Sequence, residues 1–352
     1  MKRFLKVLLI IVLVIVAAAA GLIAWLSIAE YQPENVEQLD FTTRDENAPA
    51  LPQGESLTVL SWNIGYGGLG SNADFFMDGG ENVKSSDRVR VKSNLLNIRE
   101  LLYGGNAPDL VLLQEVDTNS SRTYSIDQSA CLAGANSAHA LNYACPFVPF
   151  PLPPIGKVHS GLFTTTDYAI ERAERISLPC PFSWPVSTAN LKRCLLVSYL
   201  PIEGSDKQLV LVNLHLEAYD DGEGKIAQTR QLNEFIQSEY EKGNYVIAGG
   251  DFNQVFPGTT DTYPIKNPDL WAPGVLEAEM LPAGWQFAFD DSVPTCRLLN
   301  QPYDPADAEN TQYYVIDGFI LSPNVELLQV EGVDLAFADS DHNPVLISVK
   351  LN

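Results

Sequence analysis

Basic side chains are scarce in this sequence. Twenty-two Lys and Arg stand against 44 Asp and Glu, a formal net charge of -22. Lys2, Arg3 and Lys6 precede the first apolar run, so the remainder carries 19 basic against 44 acidic groups, a net of -25. A surface of that sign repels polyanions and disfavours long-range attraction of DNA or RNA. The 5 cysteines form no Cys-x-x-Cys, and the 4 histidines form no H-E-x-x-H, which disfavours structural and peptidase-type zinc. No G-x-S-x-G marks a serine hydrolase, and Gly222–Lys225 is too short for a P-loop. No repeat of fixed period occurs, so solenoids and propellers are excluded. Disorder is excluded too, because 46% of the chain is hydrophobic and 10% aromatic.

What is present begins with an uncharged run of 23 positions from Val7 to Ala29 (VLLIIVLVIVAAAAGLIAWLSIA). As a helix it would be ~35 Å long, enough to cross a hydrocarbon core of ~30 Å. It exceeds the ~7–15-residue apolar core of a cleavable signal peptide, although Ala17–Ala20 supply small residues of the kind cleavage uses. The basic residues on its short N-terminal side put that end in the cytoplasm. The expected organisation is a cytoplasmic N-terminus over 1–6 and a single-pass plasma-membrane anchor over 7–29. A polar linker or fold-entering edge follows over 30–56, then one extracytoplasmic domain over 57–352, expected as a monomer. Cys131 with Cys145, and Cys180 with Cys194, are each 14 residues apart in loop-like sequence. Two disulfides or buried free thiols both fit that spacing.

Short apolar runs alternate with helical stretches. Strands are expected at Leu57–Asn63, Leu110–Glu115, Gly161–Thr166, Cys194–Leu200, Leu209–His215, Tyr245–Gly250, Tyr314–Leu321 and Val345–Lys350. Helices are expected at Asp87–Tyr103, with Val91, Leu95 and Ile98 on one face, and at Gly224–Tyr240. This α/β pattern suggests packed sheets with helices outside. Cys145–Lys157 (CPFVPFPLPPIGK) and Phe256–Thr311 read as long surface loops.

One placement recurs along the chain. Asn63 closes LTVLSWN, Glu115 closes DLVLLQE and His215 closes QLVLVNLH; Asp251 and Asn253 follow YVIAGG. Asp317 ends YYVID, and Asp341-His342 precede NPVLISV. Strand ends are where α/β folds bind ligands. The carboxylates and amides are hard oxygen donors suited to Mg²⁺. The histidines can donate to phosphate oxygens or exchange protons.

These blocks, in this order, resemble the endonuclease/exonuclease/phosphatase superfamily from about Leu57 to the C-terminus. The resemblance implies a four-layer α/β sandwich: two mainly antiparallel sheets flanked by helices, here preceded by one transmembrane helix. SWNIGYG and LLQEVD resemble its metal-binding blocks, so Asn63 and Glu115 would hold Mg²⁺, with Mn²⁺ as the alternative ion. HSGLFTTT is similar to a block that would place His159 near the substrate. LVNLHLEA would give His215 to the scissile phosphate. GGDFNQ would give Asp251 to activate the attacking water and Asn253 to orient it or bind substrate. YVIDGFILS would supply Asp317 to hold the catalytic histidine, and SDHNPV supplies Asp341 near the metal and His342 as that histidine. The implied activity is metal-dependent hydrolysis of a phosphoester by in-line water attack.

The substrate is less defined. Arg88/Arg90/Lys92, Arg172/Arg175 and Lys192/Arg193 are the local basic clusters, read as solvated faces. The anchor and the Pro-rich stretch VPFPLPPIGKVHSG lean toward a lipid or another small extracytoplasmic phosphoester; that stretch either inserts at an interface or packs as a lid. The alternatives are an extracytoplasmic deoxyribonuclease and a non-catalytic surface receptor on the same fold.

Overall fold

A computed structural model describes residues 1–220 and 222–352. Two seven-stranded sheets face each other. The first runs, edge to edge, Val325–Gly332, Val345–Leu351, Ser56–Asn63, Leu110–Asp117, Gly156–Thr166, Asn136–Val148 and Phe41–Thr43. The second runs Val36–Gln38, Arg172–Ser177, Cys194–Pro201, Gln208–His215, Tyr245–Asp251, Asp317–Leu321 and Gln286–Ala288. Each contains a single parallel pair, Ser56–Asn63 with Leu110–Asp117 and Gln208–His215 with Tyr245–Asp251. Parallel neighbours need a long crossover. Helix Arg88–Tyr103 supplies the first and helix Glu223–Glu241 the second.

The apolar alternation of these strands buries both faces. Leu57, Val59, Leu110, Leu211, Ile247 and Phe319 meet between the sheets. The outer face of the first sheet takes Val91, Leu95 and Ile98 of one helix, and that of the second takes Leu232 and Ile236 of the other. The result is four layers, helix–sheet–sheet–helix. Where the two sheets approach the polar edge, Gln114 Nε2 donates to Asn213 Oδ1 at 2.8 Å, and Asn213 Nδ2 donates to the carbonyls of Leu113 and Phe163, both at 3.0 Å. A buried bridge of this kind fixes one sheet against the other.

Several expectations change in detail. The run Tyr314–Leu321 divides into Tyr313–Tyr314 and Asp317–Leu321, because Thr295 Oγ1 takes the amides of Ile316 and Asp317 away from the ladder. The two ends of Cys145–Lys157 belong to the strands of the hairpin Asn136–Val148/Gly156–Thr166, and residues 149–155 between them form its loop. Neither disulfide forms: all five cysteines are free, Cys131 and Cys180 exposed, Cys145, Cys194 and Cys296 buried. Residues 36–38 and 41–43 pair with the edges of both sheets. Helix Lys2–Ile28 is long and apolar enough to cross a membrane, by length and composition, and a signal sequence would pass the same test.

Candidate active site

Strand register assembles the polar edge. Asp251 lies opposite His215 on its parallel neighbour and opposite Asp317 on its antiparallel one, so three functional side chains stand in a row at one level. From the facing sheet, Asn63 ends its strand and Glu115 follows within two residues of the paired Leu113. Asp341 and His342 precede Val345, which pairs with Ser61. Two backbones are bent to do this. Glu115 adopts φ +57° at a bulge and Asn253 φ +50° just past its strand end, conformations that cost L-residues energy and cluster at functional sites.

Hydrogen bonds fix the ring and carboxylates. His342 Nδ1 lies 2.8 Å from Asp317 Oδ2, and Trp62 Nε1 donates to the His342 carbonyl at 2.9 Å. His342 Nε2 is therefore turned toward Asp251 Oδ2, 3.7 Å away. His215 Nε2 approaches the same oxygen at 3.5 Å. Asn63 Nδ2 donates to Asp251 Oδ2 at 3.0 Å and to Glu115 Oε1 at 3.3 Å. Asn253 donates its backbone amide to Asp251 Oδ1 at 2.8 Å and its side-chain amide to the Leu216 carbonyl at 2.9 Å.

The charges divide the two histidines. Burial is the largest single influence on His342 and opposes its protonation, but the Asp317 carboxylate, Cys296 and Asp251 together outweigh it, and its pKa lies well above the ordinary value. Burial, with Arg193 nearby, pushes His215 well below it, so His215 is neutral and makes no ion pair with Asp251. Asp251 is pushed up to about 6 by burial and by Asp317. Asp341 is pushed up to about 7 by burial, with the Glu115 charge adding to it. Burial also raises Glu115, against the pull of Arg122 and His342.

A divalent cation fits this arrangement. Glu115, half-buried, and Asp341, buried, are carboxylates on one cavity beside the Asn63 amide, and the Glu115 charge disfavours that of Asp341. Hard oxygen donors of this number suit an ion that keeps some of its own waters. Asp251, Asp317 and His342 also offer atoms within 4.8 Å of one another. There, however, His342 Nδ1 is committed to Asp317, so that trio reads as an oriented Asp–His pair.

His159 is not brought to the site. Its Nδ1 bonds Thr118 Oγ1 at 2.7 Å, and the next residue, Ser160, lines the cavity instead, as strand alternation requires. Three arginines line it that sequence reasoning missed: Arg122, Arg193 and Arg297. Arg122 is held by both Asp117 oxygens, at 2.9 and 3.1 Å, with its guanidinium 3.6 Å from the Tyr66 ring centroid. Arg193 pairs with Glu217 at 3.2 Å. Arg297 donates to the carbonyls of Gly70 and Ala73, at 2.9 and 3.1 Å. The solvated-face expectation is thus corrected for Arg193 and Arg175, 3% and 1% exposed. Both are drawn inside by carbonyl and carboxylate partners. The cavity above these groups has a volume of about 670 Å³.

An oriented Asp–His pair facing buried oxygen donors, at the shared edge of two stacked sheets, defines a class: metal-assisted hydrolases of phosphoester bonds. The chain belongs to the endonuclease/exonuclease/phosphatase family, which it matches over residues 60–342. Enzymes of this family depend on divalent metal. The fold is shared with an endonuclease/exonuclease/phosphatase protein from Beutenbergia cavernae, at 17% identity and TM-score 0.54, covering 84% of this chain and 72% of that one. It is also shared with ANGEL2, a 2',3'-cyclic phosphatase, at 14% identity and TM-score 0.51, covering 90% and 99%. No curated protein matches the chain.

Proposed function

We propose that this protein is a Mg²⁺-dependent phosphodiesterase or phosphatase, held by its N-terminal helix on the outer face of the plasma membrane, with residues 57–352 as the catalytic domain. Its substrate is a lipid or another small extracytoplasmic phosphoester. Asn63, Glu115 and Asp341 would hold the ion, which when bound would supply Lewis-acid polarisation of the phosphoryl oxygen and charge stabilisation for the leaving oxyanion. Asp251 accepts the proton of the attacking water, and Asn253 fixes the direction of that carboxylate through its backbone amide. His342, kept cationic by Asp317, donates toward the charge that develops on phosphorus, and neutral His215 donates to a second oxygen. His159 has no part in this scheme. The observation that carries the reading is the single row His215–Asp251–Asp317 with His342 Nε2 3.7 Å from Asp251 Oδ2. It sets a proton acceptor and a cation around one point.

The test uses the full chain in lipid nanodiscs, stripped with EDTA and reloaded with Mg²⁺. Sphingomyelin, glycerophospholipids, inositol phosphates, nucleotides and plasmid DNA are offered in turn. We expect turnover of one small-phosphoester class, little of DNA, and losses of about 10²–10⁴-fold in Asp251→Ala and His342→Ala. Hydrolysis that persists in EDTA, or in both variants, sinks the mechanism.

A further inference from the structure

The apolar helix does more than lead into the domain. From Lys2 to Gly21 every residue is exposed; in the last turns Leu26 is buried and Leu22, Ile23 and Ser27 are half-buried. That spacing is one helical face, laid against the domain. Leu26 packs with Val148 and Val158 of the hairpin Asn136–Val148/Gly156–Thr166. Trp184 Nε1 donates to Ser27 Oγ at 2.9 Å, and Lys192 pairs with Glu30 at 2.6 Å just past the helix end. Leu22, Ile23 and Leu26 line the same cavity as Glu115, Asp251 and His342. Val148 and Ile155 of the hairpin, packed in one cluster with Leu22 and Leu26, and Phe150 beside them line it too.

Two further observations say what fills this wall. The uncovered, uncharged stretch Val7–Gly21 amounts to about 22 Å of helix, short of the ~30 Å of a hydrocarbon core, so a core that begins at Val7 extends over the last turns as well. A bilayer around it would reach the cavity mouth. At that level the fold leaves apolar side chains in solvent: Leu152 is 87% exposed, Phe150 68% and Trp184 64%. Trp and neighbouring apolar residues favour the membrane interface, and an apolar cluster of this kind marks a contact surface.

Resting on the proposed phosphoester chemistry, we propose that the apolar half of the cavity is an acyl-chain subsite. A bilayer phospholipid enters it with its chain along the apolar wall that the last helical turns and the hairpin form together, its phosphoester reaching His342 and Glu115. The helix is then part of the substrate site as well as an anchor, and chain recognition depends on Ile23 and Phe150.

The experiment compares binding of methyl phosphate and dodecyl phosphate to the full chain in nanodiscs with Mg²⁺, by calorimetry. Wild type is set against Ile23→Gln and Phe150→Gln. Partition of the dodecyl chain into the disc is common to all three proteins and cancels between them. The preference for dodecyl over methyl phosphate should fall about tenfold or more in each variant. Phe150, exposed at a loop tip, can be replaced without disturbing the core, so its variant guards against misdocking of the helix. An unchanged preference in both variants overturns the subsite and leaves the chemistry standing. A changed preference in a protein that hydrolyses no phosphoester supports the subsite and overturns the catalytic reading.

Discussion

At the residue scale the centre is the charge on His342. Asp317 is fully buried, and it touches the ring at 2.8 Å while its other oxygen has no hydrogen-bond partner. Asp317→Asn keeps the shape and removes the charge that holds the imidazolium. We expect kcat to fall about 10²-fold or more with the fold intact by circular dichroism; an unaltered kcat would show that His342 needs no carboxylate. A second buried carboxyl makes a stability prediction. Asp78, 7% exposed, is pushed up to about 6 by burial, although the Tyr219 hydroxyl donates to it at 3.0 Å. Its folded pKa lies above its ordinary 3.8. The stability from its bound proton is therefore fully present below about pH 4 and lost as pH rises through about 6. Asp78→Asn should match wild type at pH 4 and exceed it by about 1–3 kcal/mol at pH 8 in urea melts with EDTA present. Equal stability at both pH values would contradict this. The strand-end residues were legible in the sequence because an ionisable side chain closing an apolar run is a local signal. Arg297 was not, since the carbonyls that hold it, Gly70 and Ala73, lie 227 and 224 residues away along the chain. Nor was the turning of His159 away from the cavity, which depends on the register of its strand.

At the element scale, the tightest constraint is the strand that delivers Asp251. Gly250 has φ +152°, and a Cβ there would meet the Leu214 carbonyl oxygen at 1.9 Å. The neighbouring parallel strand cannot move aside, because it carries His215 in register with Asp251. Gly250→Ala should therefore destabilise by about 3 kcal/mol or more, or prevent folding, as read by thermal melts. A variant that melts with wild type would mean that the strand pair is looser than its register suggests. At helix Arg88–Tyr103 the Asp87 side chain accepts from the Arg90 amide at 2.8 Å, and Asp87→Ala should cost about 1 kcal/mol by urea denaturation. Both helices and the continuous apolar strands of the core were readable from periodicity. Asn136–Val148 and Arg172–Ser177 were not. The first mixes small and polar residues (NSAHALNYACPFV) with no clean alternation. The second, RAERIS, buries a guanidinium and a carboxylate that look solvated in isolation, yet Arg175 finds the Leu141 and Lys192 carbonyls once the sheets pack.

At the scale of the whole molecule, two features act on the same site. A net charge of -22 repels nucleic acid and attracts small cations, and the stacked sheets bring Glu115, half-buried, and Asp341, buried, to one cavity. Folding without metal therefore confines carboxylates whose ionisation burial already opposes. A divalent ion bound there would reverse that penalty, and it would bind the folded state only. Stability should rise with ion concentration as linkage demands, by about 2.7 kcal/mol at a hundredfold excess over Kd. Glu115→Gln separates this effect from simple loss of packing. In EDTA the variant should be at least as stable as wild type, because one buried charge has been removed at nearly constant volume. In millimolar Mg²⁺ the order should invert, with wild type gaining several degrees in Tm and the variant little. If the variant is the weaker protein in EDTA as well, Glu115 serves packing rather than ion binding. If wild type gains nothing from Mg²⁺, Mn²⁺ or Ca²⁺, the buried carboxylates are not a cation site.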